Sequence, residues 1–367
     1  MKAATVPSQR PRDARLLVVD ACGNLQHAPR SALTQHLRAG DLLVANDAAT
    51  LPASLHGLHL RSGRTIEVRL AGRRSLAVDE VREFTAIVFG EGDHRTRTED
   101  RTAPPTLHAG DVLQLGPLRA EVVRTLDHPR LIDLRFEGTP DAIWAGLARH
   151  GKPIQYAHVK EPLALWDVWT RVAALPVAFE PPSAGFVLDW QLLQGLRAHG
   201  IGFATLTHAA GISSTGDGAL DARLPFDEPY HLPAATLHAI TETRARGGRV
   251  IALGTTVTRA LEHSASQAGG LRSGFGVATQ RIGAQTRLRV VDALLSGTHE
   301  PGTSHHGLLH AFADAALLRR VDRALEAHGY RTHEFGDSVL IERARTSANG
   351  RCLRWPRGPS MRLPHTA

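Results

Sequence analysis

The sequence predicts an α/β fold with an inserted all-β domain, that is, an α/β main domain plus a small β-barrel. Strand-like apolar runs alternate with helical patterns up to about residue 54 and again from about 138. Between 55 and 137 the helical period gives way to short alternating runs punctuated by Gly, Pro and charged residues. A chain of 367 residues is also long enough for two domains and a large core. The expected division is 1–54 with 138–341 as a discontinuous main domain, 55–137 as the barrel, and 342–367 as an Arg-rich flexible tail.

The elements follow in order. Arg15-Leu-Leu-Val-Val19 reads as a strand, and Ser31 caps a short helix through Leu37 that stops at Gly40. Gly40 to Asp47 is a second apolar strand ending in a polar pair. The barrel strands are expected at Thr65–Leu70, Ala86–Phe89, Val112–Leu115, Ala120–Val123 and Leu131–Phe136. Asp141 caps a helix through about Arg149, and Trp190–His199 is the next helix. Gly202–Leu206 is a strand, 211–218 a Gly/Ser/Thr loop, and Ala234–Arg246 a helix. Val290–Leu295 and Val339–Ile341 are strands that flank helical patterns at Leu308–Ala316 and Leu317–His328.

Between these lies Arg249-Val-Ile-Ala-Leu-Gly-Thr-Thr-Val-Thr-Arg-Ala-Leu-Glu262, around which the main domain is organised. Val250–Leu253 is a buried strand, Gly254 permits a tight turn, and Thr255 and Thr256 stand where a helix begins. Free N–H groups and hydroxyls at that point suit an anionic or hydroxyl-rich ligand. The competing reading is that both threonines cap the helix.

Bulk properties narrow the function classes. Apolar content is 42% with 22% charged residues, ordinary for a globular protein. No run of 18 apolar residues exists and the first 15 residues lack an apolar core, so a cytoplasmic protein without membrane span is expected. The two cysteines, Cys22 and Cys352, form no metal-binding pair, and reduced thiols are expected. Net charge is +7, but 342–367 holds six arginines against Glu342, so the body carries only about +2. A high isoelectric point therefore does not indicate a basic nucleic-acid face.

Several segments match one family in order and spacing. Pro11-Arg-Asp13 with Arg15–Asp20 is similar to its opening, and Gly40–Asp47 with Leu51-Pro-Ala53 to its "GDLLVxNDTRVIPAR". Pro182-Ser-Ala-Gly185 sits at "PTAG", and Gly254-Thr-Thr256 with Arg259 and Leu261-Glu262 at "GTTSVRxLE". Ala293–Pro301 parallels "ALLTNFHLP", while Ala311-Phe-Ala313 and Phe335-Gly-Asp337 echo the closing blocks. Together they resemble the S-adenosylmethionine:tRNA ribosyltransferase-isomerase (QueA) family of queuosine biosynthesis, from Arg10 to Ile341. The resemblance implies that S-adenosyl-L-methionine serves as a ribosyl donor to 7-aminomethyl-7-deazaguanine in tRNA. The product is epoxyqueuosine, with adenine and methionine released and no metal expected. Such chemistry needs a base beside the sulfonium and an acid for the departing adenine.

The departures are as informative. Both arginines of "NDTRVIPAR" are replaced, by Ala49 and Ser54. Val187, Thr207, Leu224 and Phe226 stand at family histidines, with His208 beside one of them and Glu228 retained. The candidate catalytic residues are Glu228, His299 and His208. The candidate substrate-binding residues are Asp47, Ser183, Gly185, Gly254, Thr255, Thr256, Arg259 and Asp337. His305, His306 and His310 lie near His299 at spacing that makes a metal site imaginable, but chance histidines are the reading taken. Trp166 and Trp169 are either base-stacking or core residues. Two alternatives remain beside tRNA modification. One is a diverged paralogue that binds S-adenosylmethionine or a nucleoside and acts on a small amine acceptor; the other is a non-catalytic binding protein.

Overall fold

The computed structural model describes residues 1–344 apart from residues 10 and 12. The chain lays down β1 (Arg15–Val19), its antiparallel neighbour β2 (Leu25–Pro29), and β3 (Leu42–Asn46). Between β2 and β3, residues Arg30–His36 wind as a 3-10 helix with Pro29 at its N-cap, rather than an α-helix capped by Ser31. Only Leu33 of that segment is buried, too little apolar surface to hold a longer helix in place.

Six strands follow: β4 (Ser54–His59), β5 (Arg64–Gly72), β6 (Glu83–Phe89), β7 (Val112–Leu115), β8 (Leu118–Leu126) and β9 (His128–Phe136). They close in the order β8–β9–β6–β5–β4–β7, leaving no free edge. Ile66, Val68 and Leu70 are fully buried in the barrel core, while Glu67 and Arg69 alternate to the other face of β5. There Glu67 accepts from Ser54, Arg69 and Arg101. Helix α1 (Pro140–His150) adds Ile143 and Leu147 to the same core; its N-cap is Thr139, with Asp141 two positions inside.

The chain then returns to the main sheet through α2 (Trp190–Ala198), β10 (Gly202–His208), β11 (Glu228–Leu232), α3 (Ala234–Ala245), β12 (Val250–Leu253) and α4 (Thr255–Ser266). It finishes with β13 (Gly274–Ala278), β14 (Ala293–Gly297), α5 (Ser304–Leu309), α6 (Ala315–Ala327) and β15 (Ser338–Glu342). The sheet order is β13–β11–β10–β3–β12–β14–β15–β1–β2. Its centre, β10–β3–β12–β14, is parallel throughout. Alternate residues feed opposite layers. Leu17, Val44 and Ala252 pack with Ile240 of α3, Leu261 of α4 and Leu318 of α6. Leu16, Leu43 and Ile251 pack with Leu196 of α2. Helices on both faces cover a mixed sheet, with the barrel built between β3 and α1.

At the edge where β3 and β12 begin, buried Arg249 donates from Nε to Asp41 at 3.0 Å and from its terminal nitrogens to Asp41 and Glu342. Glu342 ends β15, and Arg343, just past it, donates to Asp292 at 2.8 Å, so both are held against the sheet. The rest of the expected tail, from 345 onward, lies outside the described residues. Cys22, expected as a free thiol, is disulfide-bonded. Among the described residues no helix is long and apolar enough to cross a membrane.

Candidate active site

The four central parallel strands run the same way, so their carboxyl ends share one edge of the sheet. The loops leaving β10, β12 and β14 surround a cavity of about 960 Å³ there. Arg97–Glu99 of a barrel loop, Tyr156–His158, Glu180–Ala184 and Thr332–Glu334 complete its wall. Backbone contact fixes this apposition: a side chain on Gly216 would meet the Thr98 carbonyl carbon at 2.3 Å.

Gly254 joins β12 to α4 with φ of 99°, a conformation that favours glycine. A Cβ there would also approach that of Ala184 to 3.3 Å. Gly254 occupies the N-cap and no side chain caps the helix. Thr255 and Thr256 therefore fill the first helical positions, and their hydroxyls do not cap the helix. The Thr256 Oγ1 accepts from Asn46 Nδ2 at 3.4 Å. First-turn amides have no partner within their own helix, and this end of α4 borders the cavity.

The loop after β14 brings His299 to the same wall. A ring nitrogen, Nε2, lies 2.9 Å from Ser296 Oγ, and the ring stacks on His305 at 4.7 Å. Burial, and then the neighbouring His305 and His333, hold His299 well below the usual imidazole range. It is neutral at physiological pH and able to accept a proton.

Glu228 is anchored. One oxygen accepts the Gly211 N–H at 2.6 Å, and the other pairs with Arg259. Burial raises its pKa against the lowering effect of Arg259 and Gly211. Arg259 in turn spends its remaining contacts on the carbonyls of Gln280, Phe226 and Ala278. Four of its five N–H groups are thereby committed within the wall. His208 lies behind this pair, 3.4 Å from Glu228 and fully buried, and it does not line the cavity. Burial lowers it to about 3, so it stays neutral, and neither ring nitrogen has a hydrogen-bond partner among the described residues.

The cavity wall thus gathers Ser183, Gly254, Thr255, Thr256, Glu228, Arg259 and His299 from the expected set. Asp47, Gly185, His208 and Asp337 are not on it. Asp47 accepts from Thr207 Oγ1 at 2.7 Å. Gly185 packs under Thr170, whose methyl a Cβ would meet at 2.8 Å. Asp337 is buried and accepts the backbone N–H groups of Arg15 and Arg331, both at 2.8 Å, so it ties β15 to its neighbours. Trp166 and Trp169 also lie off the wall, and Trp169 donates to the Thr50 carbonyl. His306 pairs with Asp322 at 3.1 Å and His310 packs on His306, so these two do not converge with His299.

Sequence reading missed a second group of cavity residues: Tyr156, His158, Glu180, His333 and Glu334. Tyr156 stacks on His158, which stacks on His333 at 4.2 Å. His158 Nε2 lies 3.0 Å from Glu334, an ion pair that accounts for three ligand-type atoms of His158, His333 and Glu334 lying within 4.8 Å. His333 has φ of 69°, a strained conformation for a residue with a Cβ. Their only signal in the sequence is adjacency: Glu180 precedes the Pro-Pro-Ser-Ala-Gly turn, and His333-Glu334 precedes Phe-Gly-Asp.

The family model of the queuosine biosynthesis protein matches residues 1–341. An S-adenosylmethionine:tRNA ribosyltransferase-isomerase of Pelobacter propionicus is 32% identical over 356 residues, covering 92% of this chain and 96% of the relative. One from Sorangium cellulosum is 33% identical, covering 92% and 94%. The crystal structure of the S-adenosylmethionine tRNA ribosyltransferase from Thermotoga maritima aligns with a TM-score of 0.49 at 24% identity, covering 92% of this chain and 95% of that one. The match of its whole folded body places this chain in the queuosine biosynthesis protein family.

Proposed function

We propose that the chain is an S-adenosylmethionine:tRNA ribosyltransferase-isomerase. It transfers the ribosyl unit of S-adenosylmethionine to 7-aminomethyl-7-deazaguanine in tRNA, isomerises it to give epoxyqueuosine, and works in the cytoplasm. The observation that carries this reading is the meeting of the Gly254-Thr255-Thr256 turn and the His299 loop on one cavity wall. The helix end and threonine hydroxyls orient the donor's ribose and carboxylate. Neutral His299 takes the proton beside the sulfonium. Arg259 and Glu228 hold each other and shape the floor, and the sulfonium sits in a wall with more carboxylates than guanidinium groups.

That same balance supports a second reading, a small amine acceptor in place of tRNA. Glu99, Glu180, Asp221, Glu228, Glu300 and Glu334 line the cavity against Arg97, Arg259 and Arg281. The test is incubation with S-adenosylmethionine and tRNA carrying the aminomethyl base, with adenine followed chromatographically. Adenine release matching base modification is expected. Release only with small amines selects the second reading; donor binding without turnover on any acceptor leaves a binding protein. No uptake of S-adenosylmethionine by calorimetry sinks all three.

A further inference from the structure

Glu180 is a buried carboxyl group in the cavity wall with no part in the steps above. One of its oxygens accepts the Tyr156 hydroxyl and the Ser213 backbone N–H at 3.0 Å. The Ser213 side chain also bonds this carboxyl group and favours its ionised form. The surroundings are well defined. Tyr156 is backed by Arg69, whose guanidinium lies 5.5 Å from the ring centre, and flanked by His158. Glu334, held by His158, faces Glu180 closely enough to oppose its ionisation. Glu228 and Glu180 are thus two carboxyl groups in one cavity with different surroundings. The first is locked to a guanidinium; the second meets a phenol, an amide and another carboxylate.

We propose that Glu180, positioned by Tyr156, is the acid of this site and delivers its proton to the departing adenine. The assignment rests on the ribosyl-transfer reading. Breaking the C–H bond beside the sulfonium sends the proton to His299 and leaves the electron pair on carbon. The bond from the anomeric carbon to adenine then breaks, and its pair leaves with the base. The Glu180 proton joins the ring, so adenine departs neutral and Glu180 is left as a carboxylate. The carbon-held pair forms a double bond to the adjoining ring carbon, that carbon's bond to the ring oxygen breaks, and the released pair forms a carbonyl at the anomeric carbon, so the electrons balance. Burial, opposed by Tyr156 and Ser213, raises Glu180 to about 7, so a large fraction carries the proton at neutral pH.

Glu180→Gln keeps the shape and removes the proton. It is expected to slow adenine release at least about 100-fold, while calorimetric affinity for S-adenosylmethionine stays within about threefold of wild type. Wild-type kcat should fall as pH rises through the titration of Glu180, and this alkaline limb should vanish from the residual activity of Glu180→Gln. Tyr156→Phe removes a hydrogen bond that favours the carboxylate, so its alkaline limb should move to higher pH. A Glu180→Gln enzyme with wild-type kcat and an unchanged limb overturns the assignment and leaves ribosyl transfer standing. So does one that loses donor affinity with kcat intact. A wild-type protein that neither binds S-adenosylmethionine nor releases adenine overturns the underlying reading, and this assignment with it.

Discussion

Thr255 and Glu228 illustrate how far single residues were legible. The sequence left Thr255 open between a cap and a ligand contact, and the cap is taken by Gly254, with no side-chain bond to the helix end. Thr255→Val should therefore leave thermal stability within about 2 °C of wild type. It should weaken S-adenosylmethionine binding about three- to tenfold, the worth of one hydrogen bond. Calorimetry beside a melting curve separates the two; a stability loss with unchanged affinity would restore the capping role. Glu228 was visible through its motif, but its partners were not. Nothing local to Glu228 announces that Arg259, 31 residues away, and the Gly211 amide engage both oxygens. Glu180 was invisible for a related reason. A lone carboxylate before a proline-rich turn carries no periodicity, and its environment is assembled from Tyr156, Ser213 and Glu334 only on folding.

Elements were legible where burial dictates sequence. β3 and β12 are buried along their whole length and read as continuous apolar runs. β11 and β13 were not seen, because Pro229 in one and Gly274 and Gly276 in the other are residues that signal turns. β13 is an edge strand, and Phe275 and Val277 stand exposed on it, so it lacks the apolar signature of the centre. Helix starts were displaced by a residue or two wherever two polar residues competed, as with Thr139 and Asp141. The β12–α4 turn is the element on which the site depends most. Gly254→Ala places a side chain at φ of 99° and 3.3 Å from Ala184, so the turn must open. A stability loss of about 1–2 kcal/mol is expected in urea unfolding. Donor affinity should fall more than in Thr255→Val, since both threonines and the helix amides shift together. Equal affinity for the two variants would show that the turn does not hold the donor.

For the whole molecule, the interruption of α/β patterning between about 55 and 137 was the decisive sequence signal, since a closed barrel requires many short strands. The apposition of barrel loop and sheet edge was not readable, because it rests on backbone contacts such as that of Gly216 with Thr98. The opposite end of the sheet shows how distant segments are joined. Arg249 sits at the start of β12 and binds Asp41 before β3 and Glu342 at the end of β15. All three are buried, so the pairs are shielded from water. Arg249→Met would leave Asp41 buried without its cation and Glu342 with the Arg38 cation alone, a loss of about 3–5 kcal/mol. Adding Asp41→Asn removes one of those charges and should recover part of the loss, a coupling that two independent sites would not show. The cavity lies at the other end of β12, beyond Leu253. Once the Arg249→Met protein is folded at low temperature, its affinity for S-adenosylmethionine should match wild type. Urea titration of the single and double variants measures the first effect and calorimetry the second. A loss below about 1 kcal/mol would mean that the carboxylates find water or protons when the guanidinium is gone, and that the sheet is held by its apolar layers alone.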